Sequence, residues 1–130
     1  MVGDIIGDMI IRLKNAGVVG KKHVEMPHSK LRQAVADKLV AAGYIEKAEQ
    51  QGKKVQKTLV ITLKYEDGKH RIEGVKRISK PGRRLYVKVA DIHRVKFGRG
   101  HILLSTPAGI LTNDEARLQN VGGEQLFMIW

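Results

Sequence analysis

The sequence has no cysteine and no long apolar run, and each absence excludes a class of protein. Without cysteine the chain can form neither a disulfide framework nor a thiolate zinc site. Its apolar runs are too short to span a bilayer. Residues 1–4 show no basic segment leading into an apolar stretch, so we expect no signal peptide. These features predict a soluble, cytoplasmic chain without membrane association.

Acidic residues are also scarce relative to basic ones. The 130 residues include 24 Lys and Arg against 13 Asp and Glu, which gives a net charge of +11. Such an excess repels itself and indicates a polyanionic partner, either nucleic acid or an anionic membrane. A membrane-surface helix concentrates its basic residues opposite one apolar face. Here the basic residues are spread over predicted helices, strands and turns, which favours a folded body that follows a phosphate backbone.

Hydrophobic periodicity predicts an α+β fold made of two small α/β lobes packed together. The N-terminal lobe, residues 1–66, has the predicted order α-β-α-β-β, and the C-terminal lobe, residues 67–130, is mostly strand with short helices. Helices are predicted at 4–16, 30–42 and 113–119, with one helical turn at 91–95. Strands are predicted at 22–26, 44–49, 58–65, 70–78, 85–89, 102–104, 110–111 and 124–130, with a polar connection at 50–54.

Local signals predict where several of these elements begin and turn. Ser29 is a good N-cap for the second helix, with Leu31 at the start of its apolar face. Thr112 and Glu115 have the spacing of a capping box. The pair Asp67-Gly68 predicts a hairpin turn. Pro81-Gly82 predicts a type II turn, in which glycine takes a positive φ.

Residues suited to catalysis or metal binding are present but are not arranged for either. The five histidines form no His-x-x-x-His or His-Glu-x-x-His unit. Gly98-x-Gly100 precedes a strand rather than a helix, unlike a dinucleotide fingerprint. Ser105 lacks the Gly-x-Ser-x-Gly elbow of a hydrolase nucleophile. We therefore expect no metal, no cofactor and no enzymatic activity.

Two groups of basic residues flank predicted turns. The first group surrounds Pro81-Gly82 and comprises Lys76, Arg77, Lys80, Arg83, Arg84 and Lys88; the second comprises Lys14, Lys21, Lys22, Lys30 and Arg32. Charged runs often form only a solvated face, but a chain of this net charge favours contact with phosphates.

Aromatic residues make up only 5% of the chain, and their alternation with apolar residues predicts that most are in the core. The sequence also lacks the motif of a single-strand stacking platform, so a structured RNA is the favoured ligand. Short hydroxyl side chains on a tight turn can enter the shallow minor groove of such an RNA. Ser105 and Thr106, in a predicted turn at 105–109, are of this kind, although their hydroxyls could equally cap the turn.

Several motifs resemble those of one protein family along the whole chain. The C-terminal third contains Gly100-x-x-Leu103-Leu104-Ser105-Thr106-x-x-Gly109-Ile110-Leu111 and then Gly122-Gly123-Glu124-x-Leu126. Earlier matches are Asp8-Met9-Ile10-x-Arg12-x-x-Asn15-Ala16, Met26-Pro27-x-Ser29-Lys30-Leu31, Gly43-Tyr44-Ile45 and Ser79-Lys80-Pro81-Gly82. In these motifs the chain is similar to the bacterial type of ribosomal protein eight of the small subunit.

The resemblance implies a structural constituent of the ribosome that binds the central domain of small-subunit (16S) ribosomal RNA and supports 30S assembly beside neighbouring ribosomal proteins. It also implies repression of the protein's own operon through a messenger mimic of the RNA site. The implied RNA contacts are Ser105, Thr106, Gly122, Gly123, Glu124 and Tyr86 in the C-terminal lobe, with Ser29 and Lys30 on a second, N-terminal surface. Arg83 and Arg84 join them from the first basic group. A non-ribosomal RNA-binding regulator is the alternative function.

One turn departs from the family pattern. Many relatives have Ser-Lys where this chain has Pro107 and Ala108, so one hydroxyl and one cation are missing. Arg99 and His101 are the candidates to compensate for them.

Overall fold

The computed structural model describes residues 4–53, 56–93 and 98–130. The chain divides into two compact units, and its mixed composition of helix and antiparallel sheet confirms the predicted α+β class. The N-terminal unit is Ile5–Glu73, and Gly74–Trp130 together with Asp4 belongs to the C-terminal unit. The division therefore falls after Glu73 rather than after residue 66. No helix in the described segments is both long and apolar enough to cross a membrane.

The N-terminal unit packs two helices on a three-stranded antiparallel sheet. Its described elements are α1 (Ile5–Val18), β1 (His23–Pro27), α2 (Lys30–Ala41), β2 (Ile45–Lys53), β3 (Gln56–Leu63), β4 (Tyr65–Glu66) and β5 (Lys69–His70). Strand β3 lies between β1 and β2. Its alternating Leu59 and Ile61 are fully buried, as are Met9 and Leu13 of α1 and Leu39 of α2. The apolar residues of the predicted strand and of the two predicted helices thus pack together in one core.

Helix α2 begins where the sequence predicts and ends at Ala41, one residue before the predicted end. The Ser29 hydroxyl accepts a hydrogen bond from the backbone N–H of Arg32 at 3.1 Å, as an N-cap does. Gly43, just beyond the helix, has a φ of 86°. The predicted apolar face is wrong at Leu31, which lies at the surface, because burial begins only at Val35, one turn into the helix.

The polar stretch at 50–54 was predicted as a connection, and this is wrong for the part that the structure describes. Strand β2 continues to Lys53, and Gln50 and Gln51 pair with Leu59 and Thr58 of β3. Backbone pairing rather than side-chain burial defines this part of the strand, because β2 is an edge strand with exposed polar side chains. Residue 54 lies outside the described residues.

The chain then forms the predicted hairpin at Asp67-Gly68. Both residues have positive φ, 52° and 76°, as a two-residue turn of type I′ requires. The predicted strand at 70–78 is wrong as a single element. Strand β5 ends at His70, and the next strand pairs in the other unit, because the chain crosses between the units in this segment.

His70 anchors the hairpin β4–β5 against α1. A Cβ atom added to Gly17 would lie 1.7 Å from Nδ1 of His70, so the imidazole ring packs directly on the glycine backbone. The ring also faces Tyr65, with 5.5 Å between ring centroids. Burial lowers the pKa of His70 below its usual value of 6.5, because the charged form loses solvation. Protonation of His70 therefore opposes folding.

We expect this histidine to make the N-terminal unit less stable in mild acid. The unfolded chain binds a proton at His70 more readily than the folded chain, so stability is fully present above about pH 6.5 and declines as the pH falls toward the folded pKa. Thermal unfolding at about pH 7.5 and about pH 5.5 should show a smaller pH effect in His70→Gln than in wild type. The matched control is His93→Gln, which changes an exposed histidine in the other unit. An unchanged pH effect in His70→Gln would contradict this assignment.

The C-terminal unit is a sheet with one short helix against it. Its described elements are β6 (Val75–Arg77), β7 (Tyr86–Val87), a 3-10 helix (Val89–Asp91), β8 (His101–Thr106), β9 (Gly109–Thr112), α3 (Asn113–Gln119) and β10 (Gly123–Ile129). The order of strands is β6-β10-β8-β9, and β7 also pairs with β10. One face of the sheet buries Leu104 and Leu111 with Ile92 and Ala116.

Some boundaries in this unit differ from the predictions. The strand predicted at 85–89 is only two residues long, because the backbone turns into the 3-10 helix at Val89. This helix precedes the predicted helical turn at 91–95, whose residues 94 and 95 lie outside the described residues. Ser105 and Thr106 belong to the end of β8, so the turn itself contains only Pro107 and Ala108.

Both hydrogen bonds of the capping box predicted for α3 are present. The Thr112 hydroxyl accepts from the backbone N–H of Glu115 at 3.2 Å. The Glu115 carboxylate in turn accepts from the backbone N–H of Thr112 at 3.0 Å. The helix runs from Asn113 to Gln119, as predicted.

Candidate nucleic-acid interface

Strand β10 aligns three of the predicted contact residues in one row. Glu124 lies directly opposite Tyr86 of β7 on one side and opposite Ser105 of β8 on the other. Directly opposed residues of antiparallel strands project from the same face of a sheet. Tyr86, Glu124 and Ser105 therefore form a cross-strand row. Tyr86 is 71% exposed, and the other two are partly exposed, so the row is open to a ligand.

The two hydroxyl residues of the predicted turn have different roles in the fold. The Thr106 hydroxyl donates to the Gly109 carbonyl at 2.8 Å and accepts from the Ala108 backbone N–H at 3.1 Å, so it caps the turn. The Ser105 hydroxyl makes no hydrogen bond to any residue of the described segments. The sequence left open whether these hydroxyls cap the turn or contact a ligand. The Thr106 hydroxyl caps the turn, whereas the Ser105 hydroxyl is available to a ligand.

The glycine pair lets neighbouring backbones approach each other. A Cβ atom on Gly123 would lie 2.3 Å from the Ser105 carbonyl oxygen, and one on Gly122 would lie 2.4 Å from the Val87 carbonyl oxygen. Neither glycine has a positive φ, so space and not backbone conformation requires glycine here. The close approach is thus between β10 and its own neighbours, and it brings Ser105 and Glu124 into register.

Residues 80–84 form a basic loop beside the cross-strand row. The backbone N–H and carbonyl groups of Lys80 and Arg83 pair with each other across the turn. The turn is not of type II, because Gly82 lacks the positive φ that this type requires. Nη1 of Arg84 lies 3.1 Å from Oε2 of Glu124, which joins the loop to the row. Arg83 is exposed and makes no ion pair with any residue that the structure describes.

Two residues of the predicted basic groups bind inside the protein instead. Arg77 forms a two-pronged ion pair with Asp4. The side chain of Arg32 is only 13% exposed, donates to the Pro27 carbonyl at 3.0 Å and lies 3.6 Å from Asp8. Because both guanidinium groups already bind partners within the protein, neither is suited to bind phosphate. The remaining members of both groups that make no described ion pair are exposed: Lys14, Lys21, Lys22, Lys30, Lys76, Lys80, Arg83 and Lys88.

The second predicted contact surface lies in the other unit. The Ser29 hydroxyl caps α2, and it can still donate its own proton to a ligand. Lys30 is exposed at the first position of that helix. Both residues belong to the N-terminal unit, whereas the cross-strand row belongs to the C-terminal unit.

Tyr86 departs from the expectation that most aromatic residues are in the core. Tyr44 and Phe127 are fully buried, as expected, whereas the Tyr86 ring is largely exposed next to the basic loop. Phe97 lies outside the described residues. An exposed ring beside arginines provides a surface on which a base or a ribose can stack.

Arg99 and His101, the two residues predicted to compensate for Pro107 and Ala108, differ in their exposure. Nε2 of His101 lies 3.9 Å from Oδ2 of Asp114, and its side chain is mostly buried. Arg99 is exposed. Arg99 is therefore better placed than His101 to meet a ligand.

Comparison with known families matches almost the whole chain. The family described as "Ribosomal protein S8" matches residues 4–130. The chain belongs to the ribosomal protein S8 family. This family consists of ribosomal proteins and not of enzymes, so membership confirms both the resemblance and the expectation of no enzymatic activity.

Individual members of the S8 family are similar over their full length. The small ribosomal subunit protein uS8 of Mycoplasmopsis synoviae is 44% identical over 128 residues, which cover 98% of this chain and 97% of the relative. The uS8 protein of Persephonella marina is 44% identical over 136 aligned positions, with both chains fully covered. That of Oleidesulfovibrio alaskensis is 45% identical over 130, again with full coverage.

Proposed function

We propose that this S8 family member is a component of the small ribosomal subunit in the cytoplasm that binds the central domain of 16S ribosomal RNA and supports 30S assembly. The observation that carries the proposal is the cross-strand row of Tyr86, Glu124 and Ser105 beside the basic loop. The C-terminal unit is the RNA-binding lobe in this proposal. Its further partners in this proposal are neighbouring small-subunit ribosomal proteins.

The row suits the minor groove of an irregular RNA helix. A-form RNA hides its major groove and displays 2′-hydroxyls and base edges in a wide, shallow minor groove. The available Ser105 hydroxyl can donate to and accept from these groups. Glu124 keeps one carboxylate oxygen for a base amine or a 2′-hydroxyl while the other holds Arg84. Side chains on adjacent strands thus read shape and base edges together.

The exposed basic residues bind phosphates and position the chain on the RNA. Such contacts carry affinity but no sequence information, whereas the row supplies selectivity. Gly122 and Gly123 contribute indirectly by holding β10 close to β7 and β8. Thr106 contributes by fixing the turn next to Ser105.

We also propose that the same surface represses the chain's own operon by binding a messenger segment that imitates the ribosomal site. One surface can serve both RNAs if they share an irregular helix. Ser29 and Lys30 provide a second contact from the N-terminal unit.

A binding assay with two RNAs tests the main proposal. The first RNA is a central-domain fragment of 16S ribosomal RNA, and the second is a fully paired duplex of equal length. We expect tighter binding to the fragment, and co-sedimentation of the chain with small subunits. Equal affinity for both RNAs without co-sedimentation would contradict the proposal, and selective binding to some other RNA would favour a non-ribosomal regulator.

Arg83→Ala tests the role assigned to the basic loop. Loss of an exposed phosphate contact should weaken binding to both RNAs by about two- to fivefold. It should also reduce the slope of log K against log salt concentration by something below about one unit, because fewer counterions are released. Arg32→Ala, which removes the charge of the internally bonded arginine, should leave the salt slope unchanged. If the slope of Arg83→Ala equals that of wild type, Arg83 is merely solvated.

A further inference from the structure

The residues at the two ends of the basic loop, Ser79 and Leu85, are hydrogen-bonded to each other where the loop leaves the sheet. We call this pair of residues the neck of the loop. Strands β6 and β7 pair in succession with the same edge of β10, and the loop is the excursion between them. At the neck, the Ser79 backbone N–H donates to the Gln125 carbonyl at 3.0 Å, and the Gln125 N–H donates to the Leu85 carbonyl at 2.9 Å. The register of β10 shifts at this point, between Gln125 and Phe127. The sheet is irregular where the loop is attached.

The Ser79 side chain closes this neck. Its hydroxyl accepts from the Leu85 backbone N–H at 2.9 Å and donates to the Leu85 carbonyl at 3.2 Å. Ser79 is only 2% exposed, and it is one of few buried polar residues in the described chain. One hydroxyl thus replaces a pair of backbone hydrogen bonds between the two ends of the loop.

Little else holds the loop in place. All five of its residues are exposed, so burial in a hydrophobic core does not fix it. The described contacts that restrain it are the Lys80–Arg83 backbone pair, which acts within the loop, and the exposed Arg84–Glu124 ion pair. Exposed ion pairs contribute little to order. The position of the loop on the sheet therefore depends on the neck.

We propose that Ser79 is a positioning residue for RNA binding, because its hydroxyl closes the neck and holds Arg83 and Arg84 where RNA phosphates meet them. The inference rests on the proposed function and adds a residue that touches no RNA. Without the hydroxyl, the Leu85 N–H loses its partner and the loop samples more conformations. The two arginines must then become ordered when the RNA binds, at a cost in binding free energy, instead of being ordered already by the fold.

Ser79→Ala should weaken binding to the central-domain fragment by about three- to tenfold, which corresponds to the ordering of one or two long side chains. Its salt slope should fall toward that of the double variant Arg83→Ala/Arg84→Ala. Thr112→Ala is the matched control, since it removes another buried hydroxyl of the same unit, at the start of α3. We expect this control to lose stability to a similar degree and to bind the fragment like wild type.

A double-mutant cycle shows whether Ser79 acts through the arginines. In the Arg83→Ala/Arg84→Ala background, Ser79→Ala should change affinity by less than about twofold, because the groups that it positions are already absent. Additive losses would overturn the proposal. So would a Ser79→Ala variant that binds as well as Thr112→Ala.

Amide hydrogen exchange in the wild-type chain provides a test that does not depend on the folding of a variant. The Leu85 amide, held by Ser79, should exchange much more slowly than the amides of Gly82 and Arg84. Equally fast exchange at all three would overturn the proposed closure. If the wild-type chain fails to distinguish the fragment from the duplex, the proposed function itself fails; if it distinguishes them but Ser79→Ala behaves like the control, only the positioning role fails.

Discussion

Gly123→Ala is expected to destabilise the C-terminal unit by roughly 1–3 kcal/mol, as for overpacking at a site that cannot relax. The added Cβ would lie 2.3 Å from the carbonyl oxygen and 3.0 Å from the carbonyl carbon of Ser105. Both are backbone atoms of a paired strand, so relief requires β8 and β10 to separate. Because this separation also displaces Ser105 from Glu124, binding to the central-domain fragment should fall more than for loss of the Ser105 hydroxyl alone.

Gly82→Ala is the control for this prediction. A Cβ at Gly82 has no atom within 4 Å, and its φ is outside the left-handed region. Alanine should therefore be neutral or stabilise the fold by about 0.4–1 kcal/mol through the unfolded state. Denaturant unfolding of the two variants measures the difference. Equal stability of Gly123→Ala and wild type would mean that β8 and β10 are free to move apart.

Ser105→Ala should cost on the order of 1 kcal/mol of RNA binding energy, about fivefold in affinity, because it removes a hydrogen bond that is desolvated in the complex. The loss should be confined to the central-domain fragment, and the salt slope should stay at the wild-type value because no phosphate contact is removed. Stability should not change, since the hydroxyl has no partner in the described structure. Competition binding with the fragment and the paired duplex measures both effects.

Thr106 provides the comparison that makes this prediction specific. Thr106→Ala removes two hydrogen bonds of the turn, so it should lower stability as well as affinity. Thr106→Ser keeps the hydroxyl and should restore both. If Ser105→Ala loses equal affinity for the fragment and the duplex, the cross-strand row does not supply selectivity, even though the chain is an S8 family member.

Several elements governed by local chemistry could be predicted from the sequence, although the type of the turn at Pro81-Gly82 could not. The capping box at Thr112 and Glu115 and the turn at Asp67-Gly68 involve groups a few residues apart, and both are confirmed. Strand extents depend instead on distant partners. Strand β2 extends through Gln50 and Gln51 because β3 supplies its hydrogen bonds, and the composition of β2 carries no sign of this pairing.

The sequence named candidate contact residues but could not predict how they are arranged. The alignment of Tyr86, Glu124 and Ser105 depends on the register of three strands that are far apart in sequence. Charge alone could not separate Arg83 from Arg77, because the internal partner Asp4 is remote in the chain. Ser79 belongs to one of the family-like motifs, but no role was predicted for it, since a serine before a basic turn looks like any other loop residue until its contacts with Leu85 are known.

The central place of β10 in its sheet has a consequence for the order of events during translation. Strands β6, β7 and β8 all emerge from the exit tunnel before β10, which is the strand that they share. The sheet of the N-terminal unit, by contrast, pairs only strands that lie before residue 64. A nascent chain can therefore pair the strands of its N-terminal sheet while the proposed RNA-binding surface does not yet exist. The proposed repression of the chain's own messenger would consequently respond to completed molecules and not to those still being synthesised.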